Sequence, residues 1–486
     1  MKKRIVSVSL ALVIIVAMVG VSSAQGGLPG TGWWTGEAVQ NVGVATATIM
    51  VTAYTAADAT SFASSQTVAS FAAVTFMPTS FASMPPGFIG SAVVSSDQPI
   101  KAIVNVTNNK SGDLGVTGGK AAAQYQGTES AGTSLYFPLV KNSRFTKTTA
   151  FYIQNAGTVA ASVTAVFKMD TGTPGVYTKT IASVDPNKMV LISPSDAGVP
   201  IVNGTGGRDN IGGLTVSSAQ PLAGTVLEYI QGEPIATLLS GTRGFTAADF
   251  DTKVYAPVVK NNRFNKFTGI QVQNVSSGPV DITINYVGTV AGCLSAYTET
   301  ATGVAAGASK TFVQSGTPVA GGFPVNCSGT ATIVATGNIV AIVNEGNLVV
   351  SAANPAAGTT YSAMPSKSTT MKVSAPLFKD QRYGYSTGLA IQNVGSASAS
   401  VVATFACGTF TAVSLPQTIA IGGGKTFLKP SAMTGTFTSA NPFSASGVAC
   451  GVQITSDQPI VAIANEAADV AGTRDANNYE GFNLAP

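Results

Sequence analysis

Apolar and polar residues alternate along most of the chain. In "TGIQVQNVSSGPVDITINY", Thr268 to Tyr286, the alternation has a period of two on both sides of a Ser-Gly-Pro turn, which predicts a β-hairpin. Near-copies occur at 35–54, "TGEAVQNVGVATATIMVTAY", at 149–167, "TAFYIQNAGTVAASVTAVF", and at 387–405, "TGLAIQNVGSASASVVATF". Around the third copy the same reading gives an opening strand "KVYAPVV", the hairpin, "SAYTETATG", a turn at Gly307, "SKTFVQ", and a last hairpin from "GTATIVAT" and "NIVAIVNE". About seven short antiparallel strands of this kind predict an Ig-like β-sandwich. Helical periodicity is absent beyond the first residues.

Three markers repeat in step. Gln154, Gln273 and Gln392 stand 119 residues apart, with Gln40 leading them. Pro138, Pro257 and Pro376 keep the same spacing in "YFPLVKN", "YAPVVKN" and "SAPLFKD". "SSDQPIKAIVN", "SSAQPLAGTVLEY", "ATGNIVAIVNE" and "TSDQPIVAIANE" close the four units. A period this long exceeds a solenoid repeat and suits a domain with its own core. The expected organisation is a signal peptide at 1–24 and four tandem β-sandwich domains at 25–130, 131–250, 251–370 and 371–486.

Within the repeat, Asn and Gly of "QNxG" are expected to end a strand by tolerating positive φ, with the Gln amide tying the turn to a neighbouring strand. Tyr125, Tyr361 and Tyr479 lie alone in the passages that follow the last strand, which suggests that these passages fold back as an extra strand. The first unit lacks an opening "YFPLVKN". It is read either with an unpaired sheet edge, a template for another chain, or with an opening strand that is short or supplied by 106–134.

The patterns "GWWTGEAVQNVG", "GYSTGLAIQNVG", "SDQPIVAIANE" and the tail "NYEGFN" resemble tandem repeats of secreted bacterial cell-surface proteins. "NVGxxxAxVxVxxY" is similar to cell-adhesion-related Ig-like modules. The resemblance covers nearly all of 30–486. It implies an extracellular β-sandwich array with a structural or adhesive role and no defined activity.

Composition sharpens this picture. Lys2, Lys3 and Arg4 precede an apolar run and then Ser22-Ser23-Ala24, the pattern of a secretory signal cut after Ala24; a retained membrane anchor is the alternative. Removing three of the 26 basic residues leaves near balance with the 22 acidic ones, so no field for nucleic acid exists. No later apolar run is long enough to span a bilayer. Charged residues are only 10% of the chain, which favours packing against copies of itself. Histidine is absent. That excludes Ser-His-Asp, Cys-His and imidazole chemistry, and no enzyme, cofactor or metal centre is expected. Asp97 and Asp457 read as turn residues, and Asp249 and Asp251 are too sparse for a calcium loop. "LPGTG" at 28–32 lies at the wrong end for a sorting signal. Cys293, Cys327, Cys407 and Cys450 suit disulfides in an oxidising compartment, paired as neighbours.

Candidate partner contacts are Trp33 and Trp34, the only tryptophans, and the basic loops with Lys260, Arg263, Lys379 and Arg382. One tryptophan has a plain alternative as a core aromatic, and the loops as solvated turns. The expected function is a secreted structural protein, a four-domain rod that self-associates into an extracellular layer, S-layer or filament. The alternative is an adhesin or glycan-binding array at the cell surface.

Overall fold

The computed structural model describes residues 14–19, 28, 33–108, 121–171, 173–201, 210–230, 238–293, 295–315, 323–347, 358–382, 384–407, 410–427, 447–468 and 476–484. Among these the chain is all-β, relieved only by one-turn 3-10 segments. The cleavage position at Ala24 lies outside the described residues. Of 1–24, Ile14–Val19 is described, and it is a strand.

The first repeat contains β1 (Ile14–Val19), β2 (Trp33–Asn41), β3 (Ala47–Thr55), β4 (Ser61–Val68), β5 (Ala73–Phe76), β6 (Ile89–Ser96), β7 (Ile100–Asn108) and β8 (Ala122–Gln126). The second contains β9 (Gly132–Lys141), β10 (Lys147–Asn155), β11 (Ala161–Thr171), β12 (Gly175–Val184), β13 (Met189–Ile192), β14 (Ile211–Ile230) and β15 (Leu239–Arg243). The third contains β16 (Asp251–Arg263), β17 (Lys266–Asn274), β18 (Val280–Gly288), β19 (Ala296–Val304), β20 (Ser309–Gln314), β21 (Cys327–Asn347), β22 (Gly358–Ser362) and β23 (Met364–Pro365). The fourth contains β24 (Thr370–Asp380), β25 (Tyr385–Asn393), β26 (Ala399–Ala406), β27 (Thr411–Val413), β28 (Gln417–Ile419), β29 (Gly424–Phe427), β30 (Val448–Ala468), β31 (Ala476–Glu480) and β32 (Phe482–Asn483).

One long strand organises each later repeat. The first half of β21 pairs with β16 and β18, and its second half with β17 and β22. β14 and β30 do the same. In the first repeat this strand is broken into β6 and β7. Apolar residues from both halves face each other, as Ile282, Ile284 and Tyr286 meet Ile270, Val272 and Val343. Gly307 and Gly422 turn the chain with φ of 73° and 67°, which a residue with a Cβ adopts only under strain.

The Gln-Asn pair works differently from the positive-φ expectation. None of Asn41, Asn155, Asn274 or Asn393 has a left-handed backbone. Each instead uses its amide. Asn393 Nδ2 donates to Ala397 O at 2.7 Å and Ile419 O at 3.0 Å, while Oδ1 accepts from Gly395 N at 2.9 Å. The other three repeat this set. The Asn is buried, so its loss leaves unpaired carbonyls. Asn393→Ala is expected to cost about 2–3 kcal/mol in denaturant unfolding; a change under about 0.5 kcal/mol would contradict this role.

The extra strand inferred from the lone tyrosines is present as β8, β22 and β31. Tyr361 serves the proline of the opening strand. The ladder between β16 and β21 is interrupted at Ala256–Val259, around Pro257. Val258 N donates to Tyr361 Oη at 3.2 Å and that hydroxyl donates to Val258 O at 2.5 Å. Tyr479 does the same at Leu377, beside Pro376. Proline therefore sits at a bulge whose freed backbone groups the tyrosine satisfies. The structure joins Cys293 to Cys327 and Cys407 to Cys450.

The rod is not observed. β8 packs beside β15 and β31, and β22 packs beside the same two, so the four extra strands close a ring. Apolar clusters cross every junction. Ala38 and Ile103 join the core of the fourth repeat. Ala390, Val461 and Ile463 join the third. Tyr152 and Leu227 join the first, and Leu139 and Phe245 meet Val340 and Ile342. The repeats thus share apolar surface at their junctions besides holding cores of their own. The physical reason lies in the hairpin: β2, β10, β17 and β25 are buried on nearly their whole length, because their polar-looking face lies against the preceding repeat. Gln273 Nε2 lies 3.4 Å from Gly307 O in its own repeat and 3.5 Å from Leu214 O in the preceding one.

Candidate binding clefts at the repeat junctions

The basic loops are built by the opening strands. Lys141 ends β9, and Lys260 and Lys379 lie near the ends of β16 and β24, each paired with the long strand and near its glutamate. Lys141 Nζ lies 2.5 Å from Glu228, Lys260 Nζ 2.6 Å from Glu345, and Lys379 Nζ 2.8 Å from Glu466. Lys147 adds a second cation 3.8 Å from Glu228. Burial alone raises the Glu228 carboxyl, but Lys141 and Lys147 outweigh it and hold the group below the usual carboxylate range. The basic loops are therefore not simply solvated turns.

Two of these pairs, Lys141–Glu228 and Lys379–Glu466, line clefts between repeats. At the junction of the fourth and first repeats, a cavity of about 550 Å³ is walled by Lys379, Arg382, Tyr385 and Glu466 on one side and by Trp34 and Met77 on the other. Lys379 Nζ lies 5.2 Å from the Tyr385 ring centre. Trp34 Nε1 is buried with no hydrogen-bond partner. A cleft of about 420 Å³ at the junction of the second and third repeats has the equivalent wall: Lys141, Arg144 and Glu228 face Phe267, which holds in β17 the place Trp34 holds in β2.

The structure thus brings Trp34, Lys379 and Arg382 together. Arg382 also donates to Gly447 O at 3.0 Å. Trp33 does not join them. It is 4% exposed and packs in the first core, the role offered above as its plain alternative. Lys260 and Arg263 lie in the third repeat, away from this cleft, and Arg263 stacks 4.5 Å from the Phe264 ring. Asp97 and Asp457 accept from Thr48 N at 2.8 Å and Ser400 N at 2.7 Å, tying adjacent strands. Asp249 is engaged by Arg243 at 2.6 Å and Asp251 by Ser366 and Lys367 at 2.9 Å.

Sequence reading missed a polar mouth on the ring axis. Gln126, Arg243, Ser362 and Glu480 occupy one register position on the four extra strands, opposite Ile103, Thr225, Ile342 and Ile463. They line a cavity of about 250 Å³. Gln126 Nε2 donates to Glu480 O at 2.9 Å, and Ser362 N contacts the Glu480 carboxylate. Burial pushes the Glu480 carboxyl upward. The only sequence signal was the residue after each lone tyrosine.

No family model matches the chain, and no curated protein matches it. Among solved structures, the chain is similar over 24% of its length to 95% of the Thermotoga maritima 1070 protein, at 18% identity and a TM-score of 0.18. It is also similar to a 1.5-MDa bacterial ice-binding adhesin, at 10% identity over 78% of this chain and 90% of that one, TM-score 0.11. A tetra-tandem repeat in the extending region of a large adhesion protein gives 11% identity over 98% and 99%, TM-score 0.11.

Proposed function

We propose that the chain is a secreted, non-catalytic cell-surface protein whose four tandem Ig-like domains close into a ring and bind carbohydrate in the junction clefts. The observation that carries this reading is the convergence of Trp34 and Tyr385 with Lys379, Arg382 and Glu466 in one cleft. A sugar ring offers an apolar C–H face for an aromatic plate and hydroxyls for charged and amide groups at the rim. The disulfides fit export to an oxidising compartment. Glycan-array screening followed by calorimetry tests the reading. Trp34→Ala is expected to weaken binding of the selected glycan at least about tenfold, the loss of roughly 1.4 kcal/mol. An array on which the wild-type protein binds nothing would remove the proposal.

The second reading, a layer or fibre, is favoured by the low charge content. Its building block would be the ring, since closing the ring uses the faces that a head-to-tail rod needs. Electron micrographs showing only isolated particles would count against it.

A further inference from the structure

The first repeat has no opening sequence of the "YFPLVKN" type, yet the edge of β6 is paired. β1 runs antiparallel to it, from Ile14 opposite Val94 to Val19 opposite Ile89. The later repeats show what belongs there. Lys141 stands opposite Ile211, Lys260 opposite Ser328 and Lys379 opposite Ala449. Counting back along each long strand from Glu228, Glu345 and Glu466, these three positions correspond to Ile89 in the first repeat, counted from Val106. Val19 therefore stands at the lysine position, and Val106 at the glutamate position. Val106 is fully buried. Both halves of an ion pair present in the three later repeats are valine in the first. The placement between repeats agrees: β1 packs against β10 as β9 packs against β17, β16 against β25 and β24 against β2.

We infer that Ile14–Val19, inside the segment that reads as an export signal, is also the opening strand of the first repeat, and that Val106 selects it. A strand bearing lysine at this register would place an ammonium beside Val106 with no carboxylate to receive it, which disfavours β9, β16 and β24 as substitutes from a second copy. An apolar strand meets no such penalty. The connection from Val19 to Trp33 is also far longer than the two residues between Arg263 and Lys266, so pairing along β6, rather than a tight hairpin, holds β1 in place. Cleavage after Ala24 would cut the tether and leave the β6 edge ready for another apolar strand.

The test uses the full chain, produced without export so that residues 1–24 remain. Val106→Glu and Val19→Lys are each expected to lower the melting temperature by several degrees. The double variant V19K/V106E recreates the pair of the other repeats and is expected to recover most of the loss. Losses that simply add in the double variant would overturn the inference. Should a single variant fail to fold, hydrogen exchange decides. A chain starting at Gln25 is expected to lose protection at least about tenfold in Ile89–Ser96 relative to the full chain, and unchanged protection there would overturn the inference as well.

Discussion

Replacing Glu37 with leucine will raise stability at pH 8 and flatten its decline between about pH 4.5 and 8. Glu37 lies in β2 three residues before Gln40. The same position holds Phe151, Ile270 and Leu389 in the other repeats, all in their cores. Glu37 is fully buried, and neither carboxylate oxygen has a hydrogen-bond partner. Burial pushes its pKa up to about 8. The folded protein thus keeps the proton after the unfolded chain, near 4.5, has released it. Stability from this group is fully present below about pH 4.5 and falls as pH rises through about 8. A shift of this size corresponds to roughly 4–5 kcal/mol at most. Denaturant titrations at pH 5 and pH 8 measure it. A wild-type protein equally stable at both, or a leucine variant with the same slope, would refute the assignment.

Removing the Glu228 side chain will cost about 3–5 kcal/mol, because Lys141 and Lys147 would then face a buried site with no counter-charge. Exchanging the pair together, Lys141→Val with Glu228→Val, will cost much less, since two valines occupy these register positions in the first repeat. The pH dependence has the opposite sign to that of Glu37. The folded Glu228 carboxyl is held low, so its contribution is present above the unfolded value and lost as pH falls through the folded one. Acid unfolding of the wild type should therefore begin with this pair and with Asp249, held low by Arg243 despite its burial. A Glu228→Ala variant as stable as the wild type at pH 7, or the paired valines faring no better than the alanine, would show that the pair is not buried as described.

Much of this was legible in the chain. Alternation at period two located the hairpins, because one face of each strand must be apolar wherever a core lies behind it. The neighbour pairing of the cysteines was readable from spacing, and the extra strand from three isolated tyrosines. Ring closure was not legible. Alternation assigns Gln271 and Gln273 to solvent, yet both are buried, because a second protein surface covers them. Polar residues covered by a neighbouring repeat look the same in sequence as residues facing water. The segment 14–19 reads two ways for a related reason: an apolar run suited to an export signal is equally suited to a strand. Trp33 and Trp34 read alike as neighbours, but strand geometry sends one to the core and leaves the other at the cleft.

Covalent linkage of the four quarters gives the axis a freedom that an assembly of identical subunits lacks. Four identical chains would bring four copies of one residue together at the mouth, and four arginines or four glutamates there would repel. One polypeptide can place an amide, a guanidinium, a hydroxyl and a carboxyl at the same station, so the mouth is directional and chemically mixed while the scaffold around it stays repetitive. Each position can also change by a single substitution without altering its three counterparts.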